Sequence, residues 1–174
     1  MAVSIKKEYA KLLNQQYAIK QQLEIIPIGY LSKKNIDGKQ RYYLQRRVGK
    51  RVLSTYIQAG LVSNIERELQ KRKKYEAEMV AIQSRIKELE RAATHIGHGL
   101  YCDLMLYKMA VGMDNLSSER KERSISFAAS MNAIEGVDVS EETLENINEW
   151  QNDNKKFITV FSETLKRYGF PVGV

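Results

Sequence analysis

The chain has 174 residues, 43% of them hydrophobic, and a net charge of +7, enough for one compact domain or two small ones with thin cores. It has no run of about 18 apolar residues, and its first residues lack the apolar stretch of a secretory signal, so we expect neither a membrane span nor export. The single cysteine, Cys102, excludes an internal disulfide, and a cytoplasmic location is the default expectation.

The positive charge is concentrated in one segment of the chain. Residues 31–55 hold eight basic side chains and a single acid, Asp37. Residues 1–98 carry a net charge of +11, whereas residues 99–174 carry −4. This asymmetry predicts two parts with different surfaces and different partners.

The first segment is predicted to be a helix of about six turns that ends at Pro27. Two interleaved series recur every seven residues: Ile5, Leu12, Ile19 and Ile26, then Tyr9, Gln16 and Leu23. A seven-residue repeat of this kind is typical of a coiled-coil seam.

Residues 28–57 are rich in Tyr, Val and Ile, with turn residues at intervals. Asp37-Gly38 is a strong two-residue hairpin signal, because both central positions of that turn favour positive φ. Val48-Gly49-Lys50 offers a second turn. We therefore predict three antiparallel strands, at about 28–35, 40–47 and 51–57.

From about Ser63 a heptad pattern returns, carried by Tyr75, Met79, Ile82, Ile86, Leu89 and Ala93. Two such seams separated by a compact sheet most simply pack on each other as an antiparallel helical hairpin with the sheet at its tip. A dimeric coiled coil is the alternative.

Two glycines in residues 94–99 mark the predicted boundary between a helical hairpin (residues 1–96, with the β insertion at about 28–57) and a helical module (residues 97–174). Four shorter helices are expected in the module: 100–111, one capped by Ser117 and stopped at Gly136, one starting at Ser140, and 155–168. The predicted fold class is mainly α with an inserted three-stranded antiparallel sheet.

Signals for catalysis are weak, because the chain has neither a phosphate-binding glycine loop nor a G-x-S-x-G motif. We predict a binding protein with no enzymatic activity and no cofactor. His95, His98 and Cys102 have the spacing at which one helical face could present zinc ligands. Gly97 and Gly99 interrupt that helix, so we favour a hinge with a buried thiol and predict no metal site.

The basic hairpin is a candidate nucleic-acid site, because cations bind phosphates and tyrosine rings stack on bases. The candidate residues are Lys33, Lys34, Lys39, Arg41, Tyr42, Tyr43, Arg46, Arg47, Lys50 and Arg51. In strand and turn composition the segment resembles the three-stranded arm-binding domain of tyrosine recombinases of mobile elements. It also resembles uncharacterised KGY…GKxYYYLQ…GGK hairpins found between helices in bacterial proteins. The alternative is a solvated sheet whose charges protect its edges from aggregation.

Residues 124–169 carry the most specific pattern, SISFAASMNAIEGVDVSEETLENINEW…FITVFSETLKRYG. The order A-S-x(3)-I-E-G, a short link, Ser140-Glu141-Glu142 and an amphipathic helix resembles the antitoxin VbhA family, helical inhibitors of Fic-domain toxins. The resemblance implies that Glu135 pairs with the Fic arginine that otherwise holds the ATP γ-phosphate, and that Gly136 ends the inhibitory helix. The family has Ser or Thr where this chain has Met131, so Ser130 and Asn132 are the candidate helpers. The alternative is a plain helix end with an exposed acid.

Three functional hypotheses follow. The preferred one is an antitoxin-like inhibitor of a bacterial Fic AMP-transferase. The second is a nucleic-acid-binding accessory or defence-inhibiting protein of a phage or mobile element, and the third is a coiled-coil adaptor that acts as a homodimer. Two apolar faces could serve a protein partner, but we predict that both belong to the core; they comprise Phe127, Met131 and Ile134, and Phe157, Val160, Phe161, Leu165 and Tyr168.

Overall fold

A computed structural model describes residues 2–136, 138–167 and 169. The helices are α1 (Ala2–Ile25), α2 (Val62–Ile96), α3 (His98–Asp114), α4 (Ser118–Glu135), α5 (Glu141–Gln151) and α6 (Phe157–Arg167). The strands are β1 (Tyr30–Ile36), β2 (Lys39–Val48) and β3 (Arg51–Ile57), followed by a short 3-10 turn at Ala59–Leu61. The predicted fold class, mainly α with a small inserted antiparallel sheet, is confirmed. No helix in the described part of the chain is both long and apolar enough to cross a membrane.

The chain forms two compact units. One unit is Gln15–Arg85, which holds the end of α1, the sheet and the first two thirds of α2. The other contains the described residues up to Asn14 and those from Ile86 onward. The division of the chain at residues 96 and 97 stays a prediction.

In the unit Gln15–Arg85, the end of α1 lies against the first half of α2. The guanidinium of Arg72 donates hydrogen bonds to the carbonyl oxygens of Leu23 at 2.8 Å and Ile26 at 3.0 Å. The Leu23 carbonyl is in the last turn of α1 and the Ile26 carbonyl directly follows the helix, where no further helical N–H is available, so a cation there satisfies the helix end. Ile19, Ile26 and Ile82 are buried in the core of this unit.

In the other unit, the start of α1 packs against the end of α2. The Tyr9 side chain is fully buried, and its hydroxyl donates to Glu90 Oε1 at 2.8 Å. Burial, together with this hydrogen bond to a carboxylate, raises the pKa of Tyr9 far above its usual range. Lys108 of α3 also donates to Glu90 Oε1, at 2.8 Å, so a single carboxylate joins three helices.

The predicted coiled-coil seam is partly buried within one chain. Tyr9, Ile19 and Ile26 are buried, and the other predicted positions of α1 are half-buried. Leu13, which is not one of the predicted heptad positions, is buried as well. Within the single chain, α1 and α2 therefore bury apolar positions of both helices.

The short helices surround a second core centred on Trp150 and Phe157. Their rings meet edge to face with centroids 5.2 Å apart, and Asp114 Oδ1 accepts a hydrogen bond of 2.8 Å from the Phe157 backbone N–H. Val160 is buried, and Phe161 and Leu165 are half-buried, as predicted for core residues. The last predicted member of that face, Tyr168, lies outside the described residues.

Candidate functional site: the basic sheet and the end of α4

The sheet is built by two tight turns that fix its register. Asp37 and Gly38 have φ of 53° and 71°, the left-handed geometry that a two-residue hairpin of this type requires. Gly49, at φ 59°, opens the second turn. These turns pair Ser32 with Tyr43 and Tyr43 with Tyr56 across the three strands. The predicted strands are confirmed.

Residues directly opposite each other across the strands share one face of the sheet. On one face lie three tyrosines and four cations: Tyr30, Tyr43 and Tyr56, and Lys34, Lys39, Arg41 and Arg47. We call this surface of the sheet the open face. Its four cations are exposed, and Tyr30 and Tyr56 are 58% and 55% exposed.

Ring contacts support the assignment of the open face. The Tyr43 and Tyr56 rings meet edge to face with centroids 5.7 Å apart, and Lys34 Nζ lies 5.2 Å from the Tyr43 centroid. The amide of Gln45 reaches Ser54 Oγ at 3.4 Å on the same face. The sequence contains no acid between Asp37 and Glu66, so this part of the sheet carries a uniformly positive charge.

The opposite face of the sheet turns toward the start of α2. Leu31, Lys33 and Tyr42 line a pocket together with Val62 and Glu66 of that helix. The leucine and the tyrosine are half-buried, and Lys33 Nζ lies 6.0 Å from the Tyr42 centroid.

The structure therefore divides nine of the ten predicted nucleic-acid residues between the two faces of the sheet and places the tenth in a turn. Lys34, Lys39, Arg41, Tyr43 and Arg47 lie together on the open face. Lys33, Tyr42, Arg46 and Arg51 lie on the other face, and Lys50 is in the second turn.

Tyr30 and Tyr56 of the open face are not among the ten predicted residues, although the sequence contains a signal for them. Once the two-residue turns are placed at 37–38 and 49–50, strand pairing alone puts Tyr56 opposite Tyr43. The same pairing puts Tyr30 on that face, diagonal to Tyr43.

The second candidate site is the C-terminal end of α4. Ser117 accepts a hydrogen bond from the Arg120 N–H at the start of the helix, and Gly136, at φ 66°, ends it in the left-handed conformation. Glu135 is the last residue of α4, and its side chain is exposed. The predicted helix end is confirmed, and Gly136 has the positive φ from which glycine can turn the chain away.

The two proposed helper residues lie in different environments. The Ser130 hydroxyl donates to the Ser126 carbonyl at 2.8 Å, one turn back in its own helix. Asn132 is half-buried and lines a groove of about 340 Å³ between α4, α5 and α6, whose walls are otherwise mostly apolar. The indole N–H of buried Trp150, which also lines the groove, has no hydrogen-bond partner in the described part of the chain.

The prediction that Phe127, Met131 and Ile134 belong to the core is wrong. They are 69%, 40% and 78% exposed, respectively. The reason is that another side of α4 is covered: Lys121 is buried, and Ser124, Ile125 and Asn132, which line the groove or its rim, are half-buried. A helical repeat of four and three residues identifies an apolar face but does not say what covers it.

The possible zinc ligands do not form a cluster. His98 Nε2 and Cys102 Sγ lie 3.3 Å apart on adjacent turns of α3, whereas His95 belongs to α2. No three His, Cys, Asp or Glu side chains within residues 2–136, 138–167 and 169 are arranged to hold a metal ion. The expectation of a buried thiol is wrong, because Cys102 is exposed.

Comparison with known proteins adds one finding about the first part of the chain. Residues 4–71, from α1 through the sheet into α2, match the family model of a domain of unknown function, DUF6788. Neither the curated proteins nor the solved structures include a match to this chain.

Proposed function

We propose that this protein is an antitoxin-like inhibitor that binds a bacterial Fic-domain AMP-transferase and blocks productive ATP binding through Glu135. The observation that carries the proposal is the position of Glu135, exposed at the end of α4 and followed by a left-handed glycine. The family that residues 124–169 resemble uses a glutamate followed by glycine for this purpose.

The chemistry of the blocking step is competition between two anions for one cation. A carboxylate bound by a guanidinium through two hydrogen bonds occupies the donors that a phosphate oxygen pair needs. With that arginine engaged, the γ-phosphate cannot take the position required for transfer of AMP. Glu135 takes part in none of the ion pairs within the described part of the chain, so its oxygens are available to a partner's arginine.

The exposed apolar side chains of α4 supply a surface for the same partner. Phe127, Met131 and Ile134 recur at spacings of four and three along the helix that ends at Glu135. Helices that dock into a partner's groove present anchors at this spacing, and exposed apolar patches commonly mark protein interfaces. In this proposal the patch provides affinity, while Glu135 provides the inhibition.

The test uses a Fic-domain AMP-transferase from the same organism, isolated by its affinity for this chain after nuclease treatment. We expect Glu135→Gln to weaken inhibition of AMP transfer at least tenfold, because hydrogen bonds to charged groups contribute about 1.5–3 kcal/mol. The complex itself should persist in a binding assay. Phe127→Asp, in contrast, should weaken the complex.

The matched control is Glu122→Gln, which changes an exposed glutamate of the same helix. It should leave the inhibition constant unchanged. Equal inhibition by the native chain and the Glu135→Gln variant would show that the Glu135 carboxylate is not responsible for inhibition.

A second candidate function, nucleic-acid binding in a phage or mobile-element context, is favoured by the open face of the sheet. Four exposed cations lie on one surface, and the only acid in residues 31–55, Asp37, is in the first turn. Phosphates neutralised by such cations release counterions, so affinity falls steeply with salt.

Salt dependence tests this candidate. We expect the double variant Arg41→Gln with Arg47→Gln to reduce the slope of log affinity against log salt by roughly 0.7–0.9 for each phosphate that is no longer neutralised. The control double variant, Arg46→Gln with Arg51→Gln, removes the same charge from the other face and should change the slope less. Equal effects of the two variants would argue against a specific open-face site.

A further inference from the structure

We infer that the open face binds a single strand of nucleic acid, with bases stacked on Tyr30, Tyr43 and Tyr56 and phosphates held by the flanking cations. This inference rests on the second candidate function and adds the form of the ligand. It follows from where the rings and the charges lie on the sheet.

The three rings form a row across the sheet, one from each strand. Tyr43 lies directly opposite Tyr56, whereas Tyr30 lies opposite Gln45 and is therefore diagonal to Tyr43. Directly opposite side chains are about 5 Å apart at Cβ and diagonal ones about 7–8 Å. A row of aromatic side chains on a sheet surface is a platform on which successive unstacked bases can lie.

Two of the rings, Tyr30 and Tyr56, are exposed, and the central ring, Tyr43, is half-buried. In the edge-to-face contact of Tyr43 and Tyr56, the edge of one ring covers a face of the other, and the remaining faces are not used by that contact. Lys34 Nζ lies over the Tyr43 ring, 5.2 Å from its centroid, so a base that stacks on that face takes the place of the ammonium, which then meets the neighbouring phosphate. Protection of the sheet edges by charged side chains does not account for three tyrosines on this face.

The cations lie on both sides of the tyrosine row. Along β2 the open face runs Lys39, Arg41, Tyr43, Gln45 and Arg47, and Lys34 lies opposite Arg41 on β1. A single strand crossing the rings therefore has positive charge on either side of its bases.

A duplex makes poorer use of this surface than a single strand. Its bases are already stacked on one another, so ring faces in the middle of the sheet would meet the sugar–phosphate backbone without stacking. The charge complementarity applies to any nucleic acid, but the rings select bases whose faces are free.

The experiment measures binding of the full chain to a mixed-sequence 12-nucleotide strand, in deoxyribose and ribose forms, and to the matching DNA duplex. Binding of either single strand at least tenfold tighter than the duplex supports the inference, and the ratio between the two strands identifies the sugar preferred. Tyr43→Ile with Tyr56→Ile should weaken single-strand binding at least tenfold, because removal of each stacking partner weakens affinity substantially.

The rings themselves are tested by Tyr43→Phe with Tyr56→Phe, which keeps both ring faces and should retain binding. Isoleucine preserves the preference for a strand conformation. In case the isoleucine variant does not fold, ultraviolet crosslinking of a 5-iodouracil strand to the native chain gives a second measurement. Crosslinks are expected on the peptides that carry Tyr43 and Tyr56.

The outcomes separate the inference from the function on which it rests. Duplex binding as tight as single-strand binding, unchanged by the isoleucine variant, would overturn the stacking inference and leave phosphate binding intact. Crosslinks confined to other peptides would overturn it as well. Absence of binding to all three probes at low salt would contradict both the stacking inference and the nucleic-acid-binding function.

Discussion

At the scale of single residues, the buried amine of Lys121 contradicts what its sequence context suggests. It lies in the charged run Ser118–Ser124, which is typical of a solvated face, yet its side chain is only 2% exposed. Its ammonium donates to the Trp150 carbonyl at 3.2 Å and pairs with the Asp153 carboxylate. It also lies 5.2 Å from the Trp150 ring centroid. A buried cation needs partners of this kind, because burial without them is very costly.

The Lys121–Asp153 pair predicts a dependence of stability on acid pH. The hydrogen bond and the charge of Lys121 lower the pKa of Asp153 in the folded state. The unfolded chain therefore binds the proton more readily, so the contribution of the pair is complete above about pH 4, the usual pKa of aspartate. It is lost as the pH falls through the lower pKa of the folded state.

We expect thermal melts of Asp153→Asn to show lower stability than the native chain at pH 7 and a smaller difference at pH 3. The matched control is Asp138→Asn, an exposed aspartate in the link before α5. It should shift the melting temperature little at either pH. A constant difference between Asp153→Asn and the native chain at both pH values would contradict the assigned role of the pair.

At the scale of elements, the sheet depends on one glycine that precedes it. Gly29 has φ of 136°, and a Cβ at this position would lie 2.3 Å from the Gln45 carbonyl oxygen. Both the backbone conformation and the close approach of β2 therefore require glycine. The sequence shows this glycine but not the reason for it, because the approach involves a residue on another strand.

We predict that Gly29→Ala destabilises the fold by roughly 1–3 kcal/mol, the cost of a strained backbone position. The control is Gly60→Ala in the 3-10 turn, where a Cβ would meet nothing within 4 Å. It should be neutral or slightly stabilising, because alanine restricts the unfolded chain. Urea unfolding of both variants measures the two changes, and equal destabilisation would argue against the close approach at Gly29.

The helices of the C-terminal part show how far local signals extend. Ser117 and Ser140 cap α4 and α5 through hydrogen bonds to the backbone N–H groups of Arg120 and Thr143, as their positions in the sequence predict. These boundaries are local, since the capping side chain lies within one turn of the group it satisfies. The face that α4 buries was predicted wrongly, because its choice depends on α5 and α6.

At the scale of the whole molecule, the packing of the coiled-coil seam bears on whether the protein is a monomer or a homodimer. The buried positions of α1 and α2 are covered within one chain, among them Tyr9, Ile19, Ile82, Ile86 and Leu89. A homodimer through this seam would have to open the helical hairpin and lose the hydrogen bond between Tyr9 and Glu90.

We therefore predict a melting temperature that is independent of protein concentration over a hundredfold range. Thermal melts by circular dichroism at several concentrations make the measurement. A melting temperature that rises with concentration is the signature of folding linked to association. That result would favour the adaptor hypothesis, which requires an oligomer.

Local patterns in the sequence were sufficient to predict the helices, the strands and the two turns that join the strands. Heptad repeats, capping serines and two-residue turns specify local geometry wherever the signal and the structure it creates are neighbours in the chain. The same patterns identified Glu135-Gly136 as a helix end and residues 33–51 as a basic hairpin.

Which side of each element is covered became evident only from tertiary packing. Tyr42 turns toward α2, whereas Tyr43 lies with Tyr30 and Tyr56 on the open face. Lys121 is buried although it lies in a charged run, and Phe127 is exposed although its apolar face was predicted to belong to the core. The physical reason is that burial depends on surfaces brought together from distant parts of the chain. The periodicity within one element does not identify the surface that covers it.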